Sequence, residues 1–196
     1  MVNAVTADTE HTRRQFDAVP LFAMMSSDTR DRLWGQARLR GAQRGDVVVA
    51  QGSSTDRLNV LLAGEATSVH ATVSGRTVAL AGWVGPAIID KVAVFTEARH
   101  PASVLADTQI AYCTLPLASL RTALEANPAA QQHAFAAVAN AAMAARESFV
   151  DSAIRSSTAR IARWILATHS DGSVRLPRPQ ERLALQLGMT RVTFNR

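Results

Sequence analysis

The sequence predicts an α+β chain built as an N-terminal β jelly roll, a long helix and a C-terminal helix-turn-helix, in that order. Three observations predict it. From Arg38 onward, short runs rich in Val and Leu are broken by glycines at 41, 45, 52, 64, 75, 82 and 85, the punctuation of strands and turns. From Pro128 to about Ser152 there is neither Gly nor Pro and alanine dominates, as in an uninterrupted helix. The last stretch, PQERLALQLGMTRVTFNR from Pro179 to Arg196, places Leu183 and Leu187 on one helical face before Gly188 and Thr190.

Residues 1–15 are polar and read as a frayed tail. Phe16 to Leu39 then carries apolar residues at helical intervals, including Phe22, Met25, Leu33 and Trp34, with Ser27 or Asp28 placed to cap a helix start. Strands are expected at Val47–Ala50, Leu58–Leu62, Ala66–Thr72, Thr77–Leu80, Ser103–Ala106 and Ile110–Leu115. Six short strands suit a small barrel or jelly roll. Leu117–Ala126 reads as a short helix ended by Asn127-Pro128, and Pro128 suits the first turn of the next one.

Along that long helix, Phe135, Val138, Ala142, Ala145 and Phe149 recur at intervals of three and four. The seam fits coiled-coil contact between two chains, small alanines permitting close approach; packing on the chain's own barrel is the alternative. Ser156-Ser157-Thr158 breaks the stripe and can cap a helix over Ala159–Thr168, with Ile161, Trp164 and Ile165 facing inward. A short strand is expected at Ser173–Leu176. The organisation is therefore a tail at 1–15, a barrel with flanking helices at 16–126, a dimerisation helix and hinge at 127–155, and a helix-turn-helix region at 156–196.

In the last region, Gly188 can take the left-handed conformation that ends a helix, and the Thr190 hydroxyl can cap the next one. The second helix of such a motif enters the DNA major groove, presenting Thr190, Arg191, Val192, Thr193 and Arg196, with Arg191 and Arg196 as base readers. Charge agrees. Residues 1–154 hold 13 Lys+Arg against 14 Asp+Glu, net −1, whereas 155–196 hold 8 against 2, net +6. Positive charge gathered at one end suits a polyanion, although a solvated basic face has the same composition.

Composition excludes other classes. The single cysteine, Cys113, can form no internal disulfide and no thiolate cage for zinc or iron–sulfur. No run approaches the eighteen or so apolar residues of a membrane span, so no membrane partner is expected and the cytoplasm is. There is no glycine-rich phosphate loop, metal-ligand cluster or nucleophile motif, and no enzyme is expected.

The order of barrel, long helix and helix-turn-helix resembles the cyclic-AMP receptor protein and FNR (Crp/Fnr) family of bacterial transcription regulators. RGDVVVAQGSSTDRLNVLLAGEATSV is similar to the family's barrel start, and TARIARWILA followed by PQERLALQLGMTRVTFNR is similar to its DNA-binding end. The resemblance implies a cyclic-nucleotide-binding-like jelly roll that senses a small effector, a homodimer formed by the long helix, and a two-fold symmetric operator in double-stranded DNA. RNA polymerase joins the implied partners.

Two departures alter what the resemblance carries over. The family's cyclic-nucleotide binders have a Gly-Glu pair and, later, an Arg-Ser pair; alignment places Asp90-Lys91 and His100-Pro101 there. A ribose-binding carboxylate becomes a lysine and a phosphate-gripping guanidinium a histidine, so cyclic AMP is not the expected effector. Asp90, Lys91, Arg99, His100 and Ser103 are the candidate effector pocket, with Lys91, Arg99 and His100 suited to a more acidic ligand. A degenerate pocket in which Ile88, Ile89, Val92, Val94 and Trp83 pack the barrel is the alternative. No cofactor is expected. Haem, another effector in the family, has conceivable ligands in His70, His100, His133 and Met143, yet isolated histidines are usually surface or satisfied core residues. The second departure is the end: the family continues past the position of Arg196 with the rest of the recognition helix and a β-hairpin wing, so the (winged) helix-turn-helix reads as incomplete. A binding and dimerisation module without DNA binding is the alternative function.

Overall fold

The computed structural model describes residues 9–71, 77–96, 99–154 and 156–169, then 173, 174, 176, 180, 183, 184, 187–189 and 194. Among the described residues three helices come first, α1 (Thr9–Asp17), α2 (Pro20–Ala23) and α3 (Ser27–Gly35). Eight strands follow, β1 (Arg38–Ala42), β2 (Val47–Val49), β3 (Arg57–Ala63), β4 (Glu65–Ala71), β5 (Thr77–Val84), β6 (Ala87–Ile88), β7 (Ser103–Ala106) and β8 (Ile110–Pro116), with α4 (Lys91–Thr96) between β6 and β7. The chain then turns helical, as α5 (Leu117–Glu125), α6 (Pro128–Ile154) and α7 (Ser157–Thr168).

The strands form two four-stranded antiparallel sheets, in the orders β1-β8-β3-β6 and β2-β7-β4-β5. Alternation along β3 and β8 assigns each face of the first sheet. Leu58, Val60 and Leu62, with Cys113 and Leu115, join one buried cluster with Phe16, Phe22, Leu33 and Leu120 of the helices. Leu61 and Ile110 join the other, with Val49, Ala66, Val104 and Ala106, against which Trp83 and Tyr112 pack. A strand buried on both faces reads as a nearly continuous apolar run, which is why LNVLL, interrupted by Asn59 alone, was legible. Each such Leu or Val contributes about 1.5–3 kcal/mol by leaving water.

Several sequence expectations need correction. Thr9 to Gln15, expected in the frayed tail, lies in α1, where Arg13 pairs with Asp17 at 2.9 Å and reaches Asp31 of α3 at 2.6 Å. The helical stretch is three helices, because Pro20 starts α2 and Ser26, rather than Ser27 or Asp28, caps α3 by accepting from the Thr29 N–H. β1 and β6 were not expected. Gly41 and Gly82 are not turn residues but lie within strands, paired with Ala111 and Thr67, so β5 runs on to Val84. In α7 no residue is buried: Ile161 and Trp164 are half-buried and Ile165 is exposed.

Other expectations agree. Gly64 turns β3 into β4 at φ +88°, and a Cβ there would lie 2.6 Å from the Gln109 carbonyl oxygen. Ser156 caps α7 by accepting from the Ala159 N–H. Gly188 has φ +65°, and the Met189 N–H donates to the Ala184 carbonyl at 2.9 Å, the wide bond of a Schellman motif. Leu183 and Ala184 beside it are fully buried. Thr190, Arg191, Val192, Thr193 and Arg196, offered as DNA readers, lie outside the described residues. Of the expected strand at Ser173–Leu176, Ser173 forms a bridge and Val174 and Leu176 lie in no strand, while Arg175 lies outside the described residues.

Candidate effector site

The segment from β6 through α4 to β7 carries every candidate pocket residue. Gly85 begins it, pressed so close to the Leu62–Ala63 backbone that a Cβ would lie 2.8 Å from the Ala63 nitrogen. After Ile89, Asp90 adopts φ +49°, a left-handed conformation that the resemblance aligns with a glycine. Its carbonyl accepts from the Val94 N–H at 3.2 Å as α4 begins.

The Asp90 side chain leaves α4 and reaches His100. Its Oδ2 lies 2.6 Å from His100 Nδ1, so the imidazole carries its proton on Nδ1 and donates it to the carboxylate. His100 is buried, and its backbone is held as well: its N–H donates to Ser53 and its carbonyl accepts from Gly52. Arg99 Nη1 donates to the Gly52 carbonyl at 2.8 Å, and Ser103 Oγ accepts from the Gln51 N–H at 3.0 Å. Gly52, at φ +79°, makes the turn that offers these groups.

Asp90, Arg99, His100 and Ser103 are thus brought to one place, each with a partner inside the fold. Lys91 is not among them. It lines a cavity under α6 with His133, on the side of the helical core. Val92, expected to pack the barrel, is exposed, whereas Ile88 and Val94 pack toward the helices and Ile89 between the sheets. The Gly52 turn went unrecognised in the sequence, its glycine read only as punctuation.

The conceivable haem ligands are dispersed among other environments. His70 Nδ1 donates to the Pro101 carbonyl at 2.9 Å, His100 to Asp90, and Met143 is exposed on α6, roughly 15 Å along the axis from His133. Among the described residues no group of three His, Cys, Asp or Glu is placed to hold a metal ion. Between the sheets, burial raises the Tyr112 phenol above its ordinary range, and on the helical side burial pushes the Cys113 thiol up to about 12. Among the described residues no helix is long and apolar enough to cross a membrane.

These features define an α+β chain whose centre is a two-sheet domain of the cyclic nucleotide-binding type with flanking helices. Residues 39–127, just under half of the chain, match the family model described as cyclic nucleotide-binding domain. Solved structures share the architecture. FixK2 from Bradyrhizobium japonicum superposes with a TM-score of 0.69 at 15% identity, covering 81% of this chain and 81% of that one. The c-di-GMP responsive global regulator CLP of Xanthomonas campestris gives 0.68 at 15% identity, covering 87% and 89%. The sensor domain of the transcriptional regulator DNR from Pseudomonas aeruginosa gives 0.61 at 16% identity, covering 65% and 86%. No curated protein matches the sequence.

Proposed function

We propose that the protein is a dimeric, DNA-binding transcription regulator of the Crp/Fnr type, controlled by an effector other than cyclic AMP or without ligand. The observation that carries this reading is α6. Its first half is anchored by buried Ala130 and Ala134, but from Ala142 to Val150 every described side chain is exposed. Phe135, Met143 and Phe149 are 78%, 56% and 72% exposed on a 27-residue helix, an apolar surface that a second copy of the helix would cover. Val138 is half-buried, and Ala142 and Ala145 offer the small surface for close approach. The net charge of +6 in residues 155–196 and the Schellman turn at Gly188 support a DNA-binding end with paired heads. Nothing in this reading calls for catalysis.

The effector clause has its own support. Cyclic AMP needs a carboxylate for its ribose hydroxyls and a free guanidinium fork for its phosphate. Here the residue that the resemblance aligns with the carboxylate is Lys91, which lies on the helical side, the His100 Nδ1–H is spent on Asp90 and Arg99 Nη1 on Gly52. The residues present do not fit cyclic AMP.

Selection from random double-stranded DNA tests the function. Enrichment of two-fold symmetric sites, bound by two copies and indifferent to cyclic AMP, is the expected result. Failure to enrich any sequence would favour the binding and dimerisation module, and affinity raised by cyclic AMP would overturn the effector clause.

A further inference from the structure

A second site lies outside the inter-sheet interior. Between α2, β6, α4 and α6 is a cavity of about 90 Å³ that opens to solvent. Leu21, Ile88, Phe95 and Ala134 give it apolar walls. Ile88 and Leu21 belong to the buried helical cluster, not to the inter-sheet one. Into this setting come two polar groups, the side chains of Lys91 and His133.

Lys91 is the chain's one lysine, among twenty arginines. Among the described residues neither the Lys91 nor the His133 side chain has a hydrogen bond or an ion pair, and the neighbouring Asp90 carboxylate is turned away to His100. An ammonium at the rim of an apolar cavity, with no anion among the described residues beside it, is an arrangement that a ligand anion completes. The walls select against a heavily hydrated ligand. The volume excludes a nucleotide, since an apolar cavity of about 150 Å³ is filled by benzene alone.

We propose that this cavity binds a small apolar carboxylate, whose carboxylate is held by Lys91 and His133 and whose hydrocarbon part lies against Leu21, Ile88 and Phe95. A bound acid touches α4 through Lys91 and Phe95 and α6 through His133 and Ala134. It therefore favours whichever placement of α6 against the sandwich lets both helices close on it. Through the rigid helix, that preference is transmitted to the exposed half beyond Ala142. Binding itself is independent of DNA recognition and of the inter-sheet site, so it can succeed where the regulatory reading fails.

Calorimetric titration of the full chain with sodium butyrate and sodium isobutyrate, whose hydrocarbon parts are smaller than benzene, tests the proposal, with butyramide and isobutyramide as uncharged counterparts. At least one acid is expected to bind below about 1 mM, with its uncharged counterpart at least about tenfold weaker. Lys91→Gln should weaken that acid about tenfold or more, and Lys91→Arg should keep most of the affinity. Reductive methylation with ¹³C-formaldehyde labels the single lysine and the N-terminal amine, and the Lys91 resonance, assigned by its loss in Lys91→Gln, should move on adding the acid. Absence of heat with both acids up to about 10 mM overturns the proposal. So does equal binding of the acid and its uncharged counterpart, undiminished binding by Lys91→Gln, or a lysine resonance that stays in place at saturation.

Discussion

Asp90 Oδ2 and His100 Nδ1 meet at 2.6 Å across the base of the α4 loop, and Asp90 holds φ +49° to make the contact. The residue serves two ends, a backbone turn that glycine would make freely and a hydrogen bond that glycine lacks.

The two contributions separate by substitution. Asp90→Asn keeps an acceptor and tolerates the left-handed conformation, so it should cost least. Asp90→Gly loses the bond alone, while Asp90→Ala loses the bond and adds a strained backbone. The Ala variant should therefore be less stable than the Gly variant by about 1 kcal/mol. Urea unfolding of the three variants gives the order, and equal stability of Ala and Gly would show that the backbone there is relaxed.

Gly64 offers no such compromise. Its φ of +88° and the 2.6 Å approach of a built Cβ to the Gln109 carbonyl oxygen act together, and the obstacle is backbone. Gly64→Ala should lose at least about 2 kcal/mol, whereas Gly35→Ala, whose Cβ meets nothing within 4 Å, should be within about 1 kcal/mol of wild type. Thermal unfolding of both variants compares them.

Burial pushes the Cys113 thiol from 9.0 to about 12. The sign follows from which state ionises first. Below pH 9 the thiol is protonated in both states and its contribution is fully present; above it the unfolded chain ionises while the folded one does not. Stability should therefore fall by up to about 1.4 kcal/mol per pH unit between about 9 and 12. Cys113→Ala removes this slope, so the stability gap between the two proteins should change with pH over that range and stay constant below it.

On α6, Met143 is the place to test association. Met143→Glu puts a charge into the apolar stripe without touching the buried Ala130 and Ala134, so the fold should survive. Sedimentation should then report a monomer where the wild type reports a dimer. If both sediment alike, the exposed half of α6 is not the contact.

How much was legible depended on whether the signal was local. Nearly continuous apolar runs gave β3 and β8, and the absence of helix breakers gave α6. β1 escaped because RLRGA is charged on its exposed side, with only Ala42 buried. β6 escaped because two residues carry no period. Asp90 and His100 were singled out, yet their bond was invisible in a pattern that had assigned them to a ligand. The turn from Gln51 to Ser53 was missed for another reason: its partners Arg99, His100 and Ser103 lie far along the chain. Lys91 and Arg99 fell to opposite sides because α4 intervenes, a separation that their nearness in sequence concealed.

That distance along the chain has a consequence for how the protein is made. Gly52 and Arg99 are separated by 47 residues, and Gln51 and Ser103 by 52. At about 5–20 residues per second, the turn leaves the ribosome several seconds before the loop it holds. During that interval β3, apolar on both faces, has neither β7 nor β8 to cover it. The nascent chain is thus exposed to aggregation midway through its own synthesis, and that exposure begins to close with the emergence of residues 99–116, when β8 can pair with β3.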